Sequence, residues 1–168
     1  MVAPFSKRKC IAYHITIERR RNTGNSRYWR TIVRDEQIQD FFLKQGDEVV
    51  MIKPTTAPKN YSSYMVIDSS VRSGFLNNPS TDFESVLRRY NVDSKNFLGM
   101  NKTLRYSERI IEVGEEITVG GIAKWKTMSA PIPGLNYSRI ATLESSNTQK
   151  LIITDLPEAR PKEREFLN

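Results

Sequence analysis

The stretch CIAYHITIERR, residues 10–20, alternates apolar and polar side chains with a period of two. That period is typical of a strand with one buried face, which here would hold Ile11, Tyr13, Ile15 and Ile17. Turn-forming residues at 22–25 and the β-prone run YWRTIVR at 28–34 follow it. The two runs therefore predict a long hairpin whose end is rich in arginine.

The rest of the chain continues in the same manner. Strand patterns recur at 38–43, 48–53, 64–68, 104–113, 116–126 and 150–155, and the segment at 129–136 predicts a loop. About eight strands and one helix predict a mainly β, mainly antiparallel fold, either a sandwich or a small barrel of the OB kind. Gly120 and Gly121 predict a bulge or a close approach of two backbones.

One helix is predicted near residues 82–91. Thr81 and Glu84 have the spacing of a capping box, and the apolar residues that follow have helical spacing. These apolar residues are Phe83, Val86, Leu87 and Tyr90.

The length of 168 residues, of which 38% are hydrophobic, predicts one globular domain over residues 1–155. The charged residues 156–168 are predicted to form a tail or a linker towards a membrane helix. No stretch has the roughly 18 consecutive apolar residues that a spanning helix needs, so none is expected within this sequence.

The chain has one cysteine, Cys10, and one histidine, His14. This composition excludes a disulfide framework, a RING-type zinc site and any site built from several imidazoles. In a strand these two residues would lie about 13 Å apart, too far for a Cys/His dyad. We therefore predict no catalytic residues, no metal site and no cofactor. The acidic residues Glu112, Glu115 and Glu116 are interpreted as a solvated turn, with a hydrolytic or cation site as the alternative.

The net charge of +7 is concentrated at one end. Residues 1–34 carry a net +8, and the other 134 residues sum to −1. This asymmetry indicates an anionic neighbour, which could be a protein or peptide, an anionic membrane surface or a nucleic acid. The candidate binding surface comprises Lys7, Arg8, Lys9, Arg19, Arg20, Arg21, Arg27, Tyr28, Trp29 and Arg30. A solvated arginine face that binds nothing predicts the same pattern.

Aromatic residues lie between arginines in the run RYWR at 27–30. Such a run can stack bases while its cations hold phosphates. The alternative to a protein-binding domain is therefore an OB-like nucleic-acid-binding module that uses the arginine-rich N-terminal hairpin.

Five segments resemble, in order, the GIDE domain, also called the BAM or "beside a membrane" domain, of membrane-anchored E3 ubiquitin ligase-like proteins. They are APFSKRKCIAYHITIE, WRTIV, FFLKQGDEVVMIKP, LRYSERIIEVGEEITVGGIA and LIITD. The most specific part is the run RYSER at 105–109 with the glycine-containing turns after it. The chain departs from the family pattern at 7–9, where Lys-Arg-Lys replaces the Gly and Pro that commonly precede the cysteine.

The resemblance implies a non-catalytic, membrane-associated domain that membrane helices hold next to a bilayer in full-length relatives. It implies recognition of a protein or peptide partner, or sensing of a signal, which an exposed strand edge could serve. Ubiquitin transfer in this family belongs to a separate RING domain, so the resemblance supplies no catalytic residues. In that setting Lys7, Arg8 and Lys9 would be juxtamembrane, where each cation near an anionic leaflet is worth about 1 kcal/mol.

Overall fold

The computed structural model describes residues 1–74, 76–127 and 139–160. Within these ranges the chain forms eleven strands, one α-helix and one short 3-10 helix. The strands are β1 Cys10–Thr23, β2 Ser26–Ile38, β3 Phe41–Gln45, β4 Glu48–Ile52, β5 Tyr61–Tyr64, β6 Ser69–Ser73, β7 Leu104–Glu112, β8 Thr118–Gly120, β9 Ile122–Thr127, β10 Arg139–Glu144 and β11 Leu151–Thr154, and the helices are α1 Thr81–Arg89 and the 3-10 helix Pro157–Ala159. The predicted loop at 129–136 lies outside the described residues.

The mainly β fold with one helix is confirmed. The sheets have the strand orders β2-β1-β7-β6, β3-β4-β10-β9 and β5-β11-β8. Most pairs are antiparallel, and β10 with β4 and β11 with β5 are parallel. None of these sheets, over the residues described, closes on itself as the barrel alternative requires.

The chain divides into two compact units. Unit 1 consists of Met1–Gln37 and Val66–Val113, and unit 2 consists of Ile38–Met65 and the described residues from Gly114 onwards. Each unit is built from two separated segments, so the chain passes between the units three times. The single domain over residues 1–155 stays a prediction.

In unit 1 the helix α1 supplies part of the core. Phe83, Val86 and Leu87 are buried in one cluster with Ile15 and Ile17 of β1. The helix lies where the sequence predicts it, but the capping assignment was wrong by one residue.

The N-cap of α1 is Ser80, whose Oγ accepts a hydrogen bond from Phe83 N at 3.3 Å. Glu84 accepts from the hydroxyl of Ser94 at 2.9 Å. Thr81 is therefore the first helical residue and makes no capping box with Glu84.

The start of β1 differs from the strict alternation that the sequence predicts. The register with β7 shifts between Cys10 and Ala12, which marks a bulge. Both Cys10 and Ala12 are consequently buried, and Ile11 is only partly buried. The predicted full burial of Ile11 was wrong, because the bulge changes which residues point inward at this end of the strand.

The predicted strand at 64–68 was also wrong, since most of it lies between β5 and β6. Asp68 is used there in a different way: its carboxylate accepts from Ile110 N at 2.8 Å and pairs with Arg8 at 2.8 Å. This segment is a connection fixed by polar contacts to β7.

In unit 2 the predicted close approach at the glycine pair is confirmed. A Cβ on Gly121 would lie 2.8 Å from Leu151 Cδ1 and 3.1 Å from the carbonyl oxygen of Glu144. Glu144 is itself buried and pairs with Lys124 at 3.3 Å and with Lys126. Burial opposes its ionisation, but the two lysines outweigh this effect and lower the pKa of Glu144. This ion cluster has a structural role in unit 2.

Candidate functional site

The charge of the protein is divided between the units. Unit 1 holds 16 of the 26 basic residues and 9 of the 19 acidic residues, which gives it a net charge of +7. The remaining residues hold 10 of each and are neutral. The net positive charge of the protein therefore resides on unit 1.

The three N-terminal cations differ in their availability. Arg8 pairs with Asp68 at 2.8 Å and with Glu112 at 2.9 Å. The ammonium group of Lys7 donates to Pro4 O at 2.6 Å, while Lys9 is exposed. Arg8 therefore holds the N-terminal segment on unit 1.

The structure does not bring all ten predicted surface residues together. Cys10 lies opposite Glu112 and Arg19 opposite Leu104, at the two ends of the pairing between β1 and β7. The nine residue steps of strand from Cys10 to Arg19 span about 30 Å. The cations at 7–9 and the arginines of the hairpin thus form two separate patches.

The hairpin patch consists of Arg19, Arg20, Arg21, Arg27, Tyr28 and Arg30, from the end of β1 and the start of β2. Arg20 and Arg27 line one hollow of about 260 Å³ together with Asn22 and Thr103. Tyr28 is 48% exposed, and Arg20, Arg27 and Arg30 are exposed. This patch presents cations and one aromatic ring to solvent.

Trp29 is partly buried and contacts a neighbouring cation. The guanidinium of Arg105 lies 4.6 Å from the centroid of its ring, a cation–π contact. Arg105 is also bound to Glu18 at 2.6 Å. One face of Trp29 is therefore occupied by a side chain of unit 1 itself.

A second basic surface was missed by sequence reasoning. Arg34 of β2, Arg72 of β6 and Arg109 of β7 line a concave volume of about 350 Å³ on the outer face of the unit 1 sheet, with Arg105 in its wall. We call this surface the arginine hollow. The period-two pattern of LRYSERII at 104–111 contained the signal, because its arginines alternate with buried residues.

The opposite face of β7 carries a buried carboxylate. Glu108 is fully buried and accepts hydrogen bonds from Phe5 N at 2.8 Å, Ser6 N at 2.9 Å and Tyr106 OH at 2.8 Å. Burial is the largest influence and opposes ionisation, but these donors together outweigh it and lower the pKa of Glu108. The carboxylate fixes residues 5–6 against the sheet.

Cys10 is buried and His14 is partly buried on the same strand. Burial raises the pKa of the Cys10 thiol, which keeps it protonated and poorly nucleophilic. Burial likewise lowers the pKa of His14. Across the described ranges, no three His, Cys, Asp or Glu side chains converge as a metal site would require.

Unit 1 also exposes apolar side chains at a loop tip. Phe97 and Leu76 are each 94% exposed and Leu98 is 64% exposed. The side-chain oxygen of Asn96 accepts from the backbone N–H groups of Leu98 and Met100 at 2.9 and 3.0 Å, which fixes the turn. We call Phe97 and Leu98 the apolar tip.

A family model described as GIDE, E3 ubiquitin ligase, matches residues 13–132, most of the chain, and confirms the resemblance. Neither a curated protein nor a solved structure matches the chain significantly. No helix in the described part is both long enough and apolar enough to cross a membrane.

Proposed function

Because the chain belongs to the GIDE family, described as E3 ubiquitin ligase, we propose that it is a non-catalytic binding domain of a ligase-like protein and recognises a protein partner with an acidic surface. The observation that carries this proposal is the location of the whole net charge of +7 on unit 1. The hairpin patch presents part of that charge to solvent.

A binding role fits the chemistry of the chain better than a ligase role. With one cysteine and one histidine, the sequence lacks the ligands of a RING domain. Its only thiol is buried and has a raised pKa, so it is unsuited to carry ubiquitin as a thioester. Selection of a partner is the task that remains for this domain.

The hairpin patch is suited to an acidic protein surface. Arg20 and Arg27 lie around one hollow, and Tyr28, which follows Arg27 in sequence, is exposed. Arginine and tyrosine are both enriched at interface hot spots. Exposed charges act mainly on the association rate, so we expect binding to weaken as salt increases.

The test compares two variants of the full chain with equal charge change. The first replaces three cations of the hairpin patch, Arg20, Arg27 and Arg30, by glutamine. The control replaces three exposed lysines outside unit 1, Lys44, Lys59 and Lys150, by glutamine. Partners are captured from nuclease-treated lysate of the native cell, identified by mass spectrometry and then titrated as purified proteins.

We expect a purified acidic partner to bind the wild type and the lysine control equally and the hairpin variant much more weakly. Equal weakening by both variants would show a non-specific charge effect and contradict the proposal. Binding of single-stranded nucleic acid that the hairpin variant loses, without any protein partner, would favour the nucleic-acid module instead.

The apolar tip supports a second candidate function, contact with an anionic membrane surface. Two large apolar side chains at a fixed turn remain in solvent, although burying each would contribute about 1.5–3 kcal/mol. The adjoining hollow of about 710 Å³ is lined by Phe97 and by four cations, Arg19, Arg88, Lys95 and Lys102, which outnumber its two acidic residues, Glu84 and Asp93. Apolar side chains flanked by cations are typical of segments that bind anionic lipid interfaces.

Vesicle sedimentation tests this second candidate. We expect the chain to bind phosphatidylserine-containing vesicles more strongly than phosphatidylcholine vesicles, and a Phe97→Ser, Leu98→Ser variant to lose that binding. Val113→Ser, which changes an apolar residue that is 78% exposed elsewhere in unit 1, is the control. Equal binding of the tip variant and the control would contradict membrane contact through the tip.

A further inference from the structure

We propose that the arginine hollow binds a phosphate monoester carried by a phosphorylated serine or threonine of the protein partner. The inference depends on the proposed function in one respect: the phosphate is carried by a protein partner. The site itself lies on the outer sheet face and not on the hairpin patch.

Three arginines of the hollow are free to bind an anion. Arg34, Arg72 and Arg109 come from three different strands and line the same concave volume. Within the described ranges, no side-chain hydrogen bond or ion pair is found for any of the three, whereas the neighbouring Arg105 is bound to Glu18. Three like charges around one hollow repel one another, and a bound anion reduces that repulsion.

Hydroxyl groups lie between these arginines. Thr16 of β1 and Ser70 of β6 are both register partners of Ser107 on β7, so the three residues form one row across the sheet. All three line the hollow. The Ser70 hydroxyl donates to Tyr106 O at 3.1 Å, which leaves the hydroxyls of Thr16 and Ser107 to donate to a ligand.

The wall of the hollow is fixed in place. Arg105 is held between Glu18 at 2.6 Å and the ring of Trp29 at 4.6 Å. This ion pair neutralises Glu18, the one acidic side chain that lines the hollow. The described lining therefore keeps a net charge of +3 from the other arginines, on a rigid antiparallel sheet.

This arrangement favours a phosphate over a carboxylate. A phosphate monoester carries about −1.5 to −2 charges at neutral pH and three acceptor oxygens. Arginine forks bind such oxygens in a bidentate manner, and three forks from three directions require more acceptors than the two oxygens of a carboxylate. A single phosphate also neutralises more of the +3 charge of the hollow than the single charge of a carboxylate does.

The test uses the full chain and fluorescence anisotropy. The probe is a labelled glycine-alanine-serine peptide with one phosphoserine, and the comparison peptides carry serine or glutamate at that position. Arg72→Gln and Arg109→Gln remove one fork each, and Arg27→Gln in the hairpin patch is the matched control. Thermal unfolding confirms that each variant is folded, and Arg109→Lys provides a second variant that keeps the charge but loses the fork.

We expect the phosphopeptide to bind about ten-fold or more tightly than the glutamate peptide, and both glutamine variants to weaken it about ten-fold, as loss of a bidentate contact predicts. Arg109→Lys should bind with intermediate affinity, and Arg27→Gln should bind like the wild type. Because the hairpin variants test the acidic partner independently, failure here leaves the proposed function intact.

Two results would overturn the inference. One is equal affinity for the phosphoserine and glutamate peptides, or equal weakening by Arg27→Gln, since either shows a general charge effect. The other is binding to phosphoinositide-containing vesicles that Arg72→Gln abolishes, without binding of the phosphopeptide. That outcome would assign the hollow to a lipid headgroup.

Discussion

Replacing Glu108 by glutamine should destabilise unit 1 and remove part of its sensitivity to acid. The side chain is fully buried, and its two oxygens accept from Phe5 N, Ser6 N and Tyr106 OH at 2.8–2.9 Å. Glutamine has nearly the same shape but one acceptor oxygen and an amide group that donates. One of the three donors must therefore face another donor.

The expected magnitude follows from these contacts. A buried donor left without a partner costs about 1–3 kcal/mol, and the remaining hydrogen bonds weaken when the acceptor loses its charge. Relief of the desolvated charge offsets part of this cost. We expect a loss of about 2–3 kcal/mol in the free energy of unfolding at pH 7, or a fall in Tm of about 5–10 °C for a chain of this size.

The pH dependence has a definite sign. The hydrogen bonds lower the pKa of Glu108 in the folded protein. Its ionised form therefore stabilises the fold above the unfolded pKa, which is about 4.3 for glutamate. This contribution is lost as the pH falls through the lowered folded-state value. The stability difference between wild type and Glu108→Gln should consequently shrink between pH 6 and pH 3.

Urea unfolding followed by fluorescence and circular dichroism measures this difference, with Glu48→Gln as the control because Glu48 is exposed. Amide hydrogen exchange at Phe5 and Ser6 provides a local readout, and we expect both amides to exchange faster in the variant. Equal stability at pH 7, or a difference that stays constant down to pH 3, would refute the reasoning.

Three further predictions concern the fold. Gly121→Ala should destabilise unit 2 by about 1–3 kcal/mol, because the added methyl group would lie 2.8 Å from a leucine side chain. Gly120→Ala is the control and should destabilise less, because nothing lies within 4 Å of its added methyl group. Urea unfolding measures both variants. Ser80→Ala should lower the free energy of unfolding by about 1 kcal/mol through loss of the N-cap, and a change below the error of urea unfolding would contradict this role. Trp29 lies in unit 1 and Trp125 in unit 2, and the fluorescence of each can be isolated by mutating the other to phenylalanine. If residues 1–155 form one domain, both tryptophans should report the same unfolding midpoint. Two separate midpoints would show that the units unfold independently.

Local sequence patterns predicted the elements that bury one regular face. β1 and α1 were found because their apolar residues recur at periods of two and of 3–4 residues. β6, with the sequence SSVRS, has no such pattern and exists as a strand through its pairing with β7. β10 was missed for a related reason: it buries Thr142 and Glu144, and the charge of Glu144 is paired with lysines of the neighbouring strand β9.

The candidate surfaces show the same limit. Sequence alone found the cations of the hairpin because they are close together along the chain. It could not show that Arg8 is bound by two carboxylates. The predicted strand over residues 10–20 already separated residues 7–9 from Arg19, and the pairing of β1 with β7 agrees with that separation. It also could not assemble the arginine hollow, because Arg34, Arg72 and Arg109 meet only through the order β2-β1-β7-β6.

Strand β7 links the fold of unit 1 to its proposed binding face. Its inward residues include Tyr106 and Glu108, which hold the N-terminal segment, and its outward residues include Arg105 and Arg109, which line the hollow. Because side chains alternate strictly along a strand, a shift of register by one residue would exchange the two faces. The register that buries Leu104, Tyr106, Glu108 and Ile110 is therefore the same register in which the arginines face outward. A shift that moved Glu108 to the outer face would lose its three hydrogen bonds, so this buried carboxylate and its apolar neighbours favour together the geometry of a surface that they do not line.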